Sequence, residues 1–310
     1  MYSVIYQLFY FLKRIEKRRR ERNLPPSKIV AFLIGYAEWF YNVPVRWWYE
    51  KHPSKEIGVN QSPRSQKIIV SFTSYPKRIG DVWLVVETLL RQSYKPDEII
   101  LWLAESQFNG LDSLPIRLVN LQERGLSIRF CDDLRSHKKY YYTMQEYPDD
   151  LIILVDDDTF YSKDLVKKLV KLHQKYPKDI ISMTSTMISN VYELPSKWNS
   201  PACNDRIIHS YLAQPYSGQG TLYPPHSLDE ENAFDKEKIM KLCPHADDLW
   251  LKMMSMRKGV FVTVVYKYRS IPVTIYGTAE GSLYYINGEG GQNDVQWQNL
   301  LEYYGEENDT

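Results

Sequence analysis

Leu151–Tyr161 reads LIILVDDDTFY, and this stretch decides the fold. Leu151–Val155 is a continuous apolar run, as expected of a short strand buried on both faces of a parallel sheet. Three carboxylates follow at once, Asp156, Asp157 and Asp158. An extended chain turns alternate side chains to one side, so Asp156 and Asp158 can point the same way. Carboxylates this close repel one another unless a cation is present. Their hard oxygens suit Mg²⁺ or Mn²⁺, which are commonly held by one or two carboxylates together with substrate phosphates. A helix cap near Ser162 would use one carboxylate, not three. A phosphohydrolase nucleophile also sits on a strand end with a second aspartate two residues on. That motif wants a threonine two residues later still, where this chain has Phe160.

Working outward, Lys67–Thr73 (KIIVSFT) is a β-branched strand closed by the turn-forming Ser74-Tyr75-Pro76. Val82, Val85, Val86, Leu89 and Leu90 carry helical spacing through Ile79–Gln92. Asp97–Leu103 reads as a second strand. Leu114–Arg124 reads as a helix closed by Gly125, where a left-handed residue is wanted. Leu126–Cys131 is a third strand, Leu151–Val155 the fourth, and Ile180–Thr184 a fifth after the helix Leu165–Lys175. Strands alternating with helices predict an α/β fold with a mostly parallel, right-handed central sheet. After about Asn190 the pattern loosens. Asp247–Lys258 then reads as a helix, Val260–Val265 as a late strand, Asp294–Tyr304 as a final helix, and 277–293 as a loop.

Ligands of such sheets bind beyond the carboxyl ends of the strands. Three polar clusters sit there: Thr73–Arg78, Asp132–Lys139 and Asp156–Asp158. Arg78, Arg135, Lys138 and Lys139 are the basic residues near that rim, with Arg78 and Lys138 preferred as phosphate donors. A second acidic pair, Asp247-Asp248, opens a helix, where the helix dipole also favours carboxylates. Gly218 and Gly220 permit close backbone approach to a ligand or serve an ordinary tight turn. The six histidines show no metal-ligand spacing.

VSFTSYPKRI (70–79), KPDEIILWL (95–103), the DDL of 132–134, LVDDDTFY (154–161), GQGTLYPP (218–225) and HADDLWL (245–251) occur in an order that resembles the GT-A glycosyltransferases. In particular, the order resembles that of bacterial family 2-like enzymes of capsule, O-antigen or exopolysaccharide synthesis. The resemblance implies a Rossmann-like GT-A sheet over 67–290, with a nucleotide-sugar half at about 67–160 and an acceptor half at about 161–290. It implies a nucleotide-diphosphate donor, commonly a UDP-sugar, and Mn²⁺ or Mg²⁺. Thr73, Tyr75 and Asp133 would lie near the nucleoside, with Arg78, Lys138, Asp156 and Asp157 around the rest of the donor. Asp156 and Asp158 would match the D-x-D motif, Asp158 being the direct metal ligand. Asp247-Asp248 would include the catalytic base, Asp248 preferred, in an inverting single displacement. Gly218, Gly220 and Trp250 would border the sugar or acceptor. Many GT-A enzymes add a C-terminal histidine to the metal; no histidine follows His245 here. The alternative is a non-catalytic glycan-binding or scaffold protein on the same fold.

Residues 1–66 lie outside the resemblance, and 291–310 form a C-terminal helix and tail. Met1–Leu12 is apolar, Lys13–Arg22 reads KRIEKRRRER, and a second apolar stretch runs from Ile29 to Tyr41. Basic residues after the apolar segment are the wrong order for a signal peptide. Neither stretch has the ~20 apolar residues that a bilayer span needs. Trp39, Phe40, Tyr41, Trp47, Trp48 and Tyr49 beside a basic run fit peripheral contact through 1–50 with the cytoplasmic membrane's inner face, where lipid-linked acceptors would be met. A net charge of +1 gives no global attraction to nucleic acid, so no nucleic-acid partner is expected. Cys131, Cys203 and Cys243 are too scattered for a disulfide framework and read as buried reduced thiols.

Overall fold

A computed structural model describes residues 2–21, 24–198, 207–265, 273–278, 287 and 290–305. The chain enters through helices α1 (Tyr2–Glu21) and α2 (Lys28–Lys51). Alternation then sets in: β1 (Ile68–Thr73), α3 (Val82–Leu90), β2 (Glu98–Ala104), α4 (Ile116–Val119), β3 (Leu126–Cys131), α5 (Lys138–Glu146) and β4 (Leu151–Val155). A short strand β5 (Thr159–Phe160), helix α6 (Leu165–Lys175) and strands β6 (Ile180–Ser182), β7 (Ser185–Met187), β8 (Ile207–Ser210), β9 (Ala213–Pro215) and β10 (Gln219–Tyr223) follow. The remainder is α7 (Glu230–Ala233), α8 (Lys236–Leu242), α9 (Asp247–Arg257), β11 (Val262–Val265), β12 (Val273–Thr274) and α10 (Gln292–Tyr304).

Eight strands form one sheet in the order β3-β2-β1-β4-β10-β6-β11-β8. The first four are parallel throughout, and β6 and β11 are parallel to each other. Two strands run against the rest, β10 between β4 and β6, and β8 at the edge. The sheet is therefore mixed rather than uniformly parallel, and it agrees with the Rossmann-like GT-A expectation. Strand alternation builds both cores. Ile68, Val70 and Phe72 of β1 pack with α3 and α6, whereas Ile69 joins Tyr140 and Trp250 on the face covered by α5 and α9.

Gln219–Tyr223 is a central strand that takes up Gln219 and Gly220 of the expected Gly218–Gly220 turn. It escapes a hydrophobicity reading because it carries polar residues inside the sheet. Thr221 is fully buried, and its hydroxyl is satisfied by Ser182 Oγ at 2.8 Å and the Tyr216 carbonyl at 2.9 Å. Helix α5 was hidden for a related reason: tyrosines, not aliphatics, form its buried face. The expected 114–124 helix is a short α-helix that tightens into a 3-10 turn over Asn120–Arg124. Gly125 there has φ 111°, as a left-handed cap requires.

Phe9, Leu12, Ile34 and Ala37 join α1 and α2 to the same apolar core as α3. Among the described residues no helix is long and apolar enough to cross a membrane. Cys131 and Cys243 are free and buried; Cys203 lies outside the described residues, as does most of the 277–293 stretch.

Candidate active site

Because β10 runs antiparallel to β4, its first residue stands beside the last residue of β4: Gln219 pairs with Val155. The Ser217-Gly218 turn is thereby held against the acidic run. The Asp156 N–H donates to the Gly218 carbonyl at 2.9 Å and to the Tyr161 hydroxyl at 2.7 Å. A Cβ on Gly218 would fall 1.8 Å from the Asp156 carboxyl carbon, so any larger residue there displaces the Asp156 carboxylate. Gly220, at φ +94°, is close to Leu165 of α6 instead and serves the core.

The three aspartates divide between two sides. Asp157 is buried and turned toward the β1 loop, accepting from Ser74 Oγ and Arg78 Nη1, both at 2.6 Å. Arg78 also reaches Asp158 Oδ2 at 3.0 Å and donates to the Thr278 carbonyl at 3.2 Å. Asp156 and Asp158 keep open faces, their side chains 44% and 20% exposed. Burial lifts the Asp158 carboxyl to about 6, helped by its two acidic neighbours and opposed by Arg78. The cluster therefore holds more negative charge than its cations neutralise.

Asp247 and Asp248 lie at the N-terminus of α9, on the other flank of the Ser217-Gly218 turn. Ser217 holds both: its hydroxyl donates to Asp247 Oδ2 at 2.7 Å and its N–H to Asp248 Oδ1 at 2.8 Å. The buried Lys139 ammonium joins the two acidic clusters, 2.8 Å from Asp247 Oδ2 and 3.0 Å from Asp156 Oδ1. Burial pushes the Asp247 carboxyl up, but Lys139, His137 and Ser217 outweigh it and hold it below the ordinary range. Burial and the Asp247 charge together raise Asp248 to about 7. The pair is therefore unequally tuned, with Asp247 held below the ordinary range and Asp248 pushed above it.

Asp133 forms a separate pair on the same rim, holding Lys138 Nζ and the Arg135 N–H. Burial works to raise its carboxyl, and these donors leave it below the usual range. Thr73 donates to the Trp102 carbonyl at 2.8 Å, and Tyr75 stands 5.6 Å from the Arg78 guanidinium. Trp250 is apart from the rim: it is fully buried, and its indole N–H donates to the Ala233 carbonyl at 3.1 Å. Lys139, Ser217, Ser74 and Tyr161 make contacts that single-residue reading missed. Lys139 alone gave a signal, as one of four basic residues near the rim.

No group of three or more His, Cys, Asp or Glu side chains that could hold a metal ion occurs among the described residues. Asp156 and Asp158 nevertheless present partly exposed hard oxygen donors of the kind a divalent cation takes together with phosphate and water. Among the described residues a further strap crosses this end of the site. Strand β12 pairs with β5, and the Ile275 N–H donates to the Asp158 carbonyl at 2.7 Å.

The sequence matches no protein-family model and no curated protein. The fold is similar to that of a mannosyltransferase from Pyrobaculum calidifontis in complex with GDP-Man and Mn²⁺, at 11% identity over 84% of this chain and 68% of that one, TM-score 0.42. It is similar to S. aureus TarS 1-349, at 13% identity over 65% of this chain and 58% of that one, TM-score 0.44. CMP:2-keto-3-deoxy-manno-octonic acid synthetase complexed with CTP is matched at 13% identity over 65% of this chain and 89% of that one, TM-score 0.38. Likenesses of this size describe the chain trace and assign no activity.

Proposed function

We propose that this chain is a metal-dependent glycosyltransferase, moving a sugar with inversion from a nucleotide-diphosphate donor to a hydroxyl of a glycan or lipid-linked glycan. The donor we propose is a UDP-sugar, and the setting bacterial surface polysaccharide synthesis. One observation carries the reading: Lys139 and the Ser217-Gly218 turn hold two differently tuned acidic clusters on one strand rim. The first has the oxygen donors for a cation and diphosphate; the second has a base poised near neutrality.

In this reading Asp158 and Asp156 hold Mn²⁺ or Mg²⁺, which supplies positive charge to the departing diphosphate. Arg78 and Lys138 offer further donors to the phosphates, and Thr73, Tyr75 and Asp133 border the nucleoside. Asp157 fixes the β1 loop through Ser74 and Arg78, and so positions Arg78. Asp248 takes the proton of the acceptor hydroxyl as that oxygen bonds to the anomeric carbon. The sugar–phosphate bond breaks on the opposite face, and its electron pair leaves with the nucleoside diphosphate. Asp247 remains ionised beneath Lys139 and keeps Asp248 basic. Residues 1–50 supply peripheral contact with the inner face of the cytoplasmic membrane.

Nucleotide release from UDP-, GDP- and dTDP-sugars, with Mn²⁺ or with EDTA, tests the reading. Slow hydrolysis of one donor that is lost in EDTA and in Asp158→Asn is the expected result. No release and no nucleotide binding from any donor would overturn it and leave the binding-protein alternative.

A further inference from the structure

Helix α2 has two unlike faces. Ile29, Phe32, Tyr36, Phe40, Val43 and Trp47 recur at three- and four-residue spacing, which places them on one face. All are exposed, Ile29 and Phe32 at 73%. At 1.5 Å per residue the stripe is about 27 Å long. An unpartnered apolar stripe of this length marks a docking surface. Its neighbour in sequence is the basic run Lys13–Arg22, and Arg18 and Lys28 are exposed. A protein occupant would need an acidic face to match, and a second copy would bring a second basic run. An anionic lipid surface answers both features, taking the rings at headgroup depth and the cations at the phosphates. No described helix can cross a bilayer, so α2 would lie along it.

The opposite face carries Asn42, which is buried. Its Nδ2 donates to the Glu38 carbonyl of its own helix at 2.8 Å and to the Thr274 carbonyl at 3.0 Å. Its Oδ1 accepts from the Tyr276 N–H at 2.9 Å. One side chain therefore bonds the strap at two residues, Thr274 and Tyr276. The strap in turn donates the Ile275 N–H to Asp158 and accepts Arg78 at Thr278. A chain of contacts thus runs from helix α2, through Asn42 and the strap, to the Asp158 carbonyl and, by way of Arg78, to its carboxylate.

We propose that α2 docks on anionic lipid and that Asn42 transmits this docking to the strap beside Asp158 and Arg78, so that the donor end of the site tightens at the membrane. Asn42 is a positioning residue, acting through backbone groups of the strap. The kinetic part of this proposal rests on the glycosyltransferase reading; the docking part does not.

The experiment compares vesicles of equimolar phosphatidylglycerol and phosphatidylcholine with vesicles of phosphatidylcholine alone. Cosedimentation, amide exchange at Ile275 and Tyr276, and donor KM and kcat are each measured. Wild type is expected to bind the anionic vesicles, to show slower exchange at both amides, and to lower its donor KM about fivefold with kcat little changed. Phe32→Glu should lose binding and the KM response while keeping its vesicle-free activity. Asn42→Asp keeps an acceptor for Tyr276 but removes both donated bonds; it should bind vesicles as wild type does and lose the KM response. Asn42→Ser serves the same purpose should Asn42→Asp fail to fold. Failure to bind anionic vesicles, equal binding to neutral ones, or self-association through this face in their absence would overturn the docking. Binding without slower exchange, or an Asn42 variant that keeps the response, would overturn the coupling. Vesicle binding with slowed exchange but no turnover of any donor would sustain the docking and defeat the enzyme reading instead.

Discussion

The two acidic clusters are built from the same residue and behave as opposites. Asp156 and Asp158 are partly exposed on either side of the buried Asp157, flanked by Arg78 and Lys139. Asp247 is buried beneath Lys139 and Asp248 is partly exposed, and their contacts shift the two carboxyls in opposite directions. The difference follows from what touches each. On the proposed function, the first pair would be completed by something from outside, whereas the second, under one ammonium, would hold a proton on one member. Identical side chains would then serve a binding task and a transfer task, separated by one lysine and one serine-glycine turn.

The sharpest way to break that contrast is Asp248→Asn. Turnover should fall about 10²–10⁴-fold while donor binding, read by calorimetry, stays near wild type. A parallel fall in donor affinity would mean that the second cluster binds rather than reacts. Lys139→Met removes the cation the clusters share and leaves buried carboxylates uncompensated. Stability should drop by about 3–5 kcal/mol in a melting experiment, and the acid limb of the rate should move upward, because Lys139 lowers the Asp248 carboxyl. Gly218→Ala forces the turn away from Asp156 and should cost about 1–3 kcal/mol, with both clusters losing function together.

Two pH profiles sharpen the comparison further. As the proposed base, Asp248 would act only when deprotonated, so kcat should fall as pH drops through about 7. Asp158 binds a cation only when deprotonated, so Mn²⁺ affinity should weaken at lower pH, as the solution passes about 6. Coincident limbs would mean that the two clusters titrate as one unit.

Much of this was written in the sequence. LIILV followed by three aspartates fixed a strand and a polar rim, and Leu126–Cys131, Leu151–Val155 and Leu165–Lys175 have the bounds that their patterns predict. Local signals sufficed there because each element buries its own aliphatic face. β10 and α5 were less visible, since Thr221 and the tyrosines of α5 become core residues only through partners far along the chain. Lys139 illustrates the limit at the site. Nothing beside it in sequence tells that it will sit between Asp156 and Asp247, which are 17 and 108 residues away. That position depends on strand order and on one antiparallel neighbour.

That neighbour also sets an order of assembly. Strands β3, β2, β1 and β4 are all present by Val155, but the outer edge of β4 stays unpaired until Gln219–Tyr223 is made. A nascent chain therefore carries an apolar strand with free backbone donors and acceptors while more than sixty further residues are added. A fragment ending at Lys175 should expose that edge and aggregate, as light scattering would show; if it stays monomeric, something other than β10 shields the strand during synthesis.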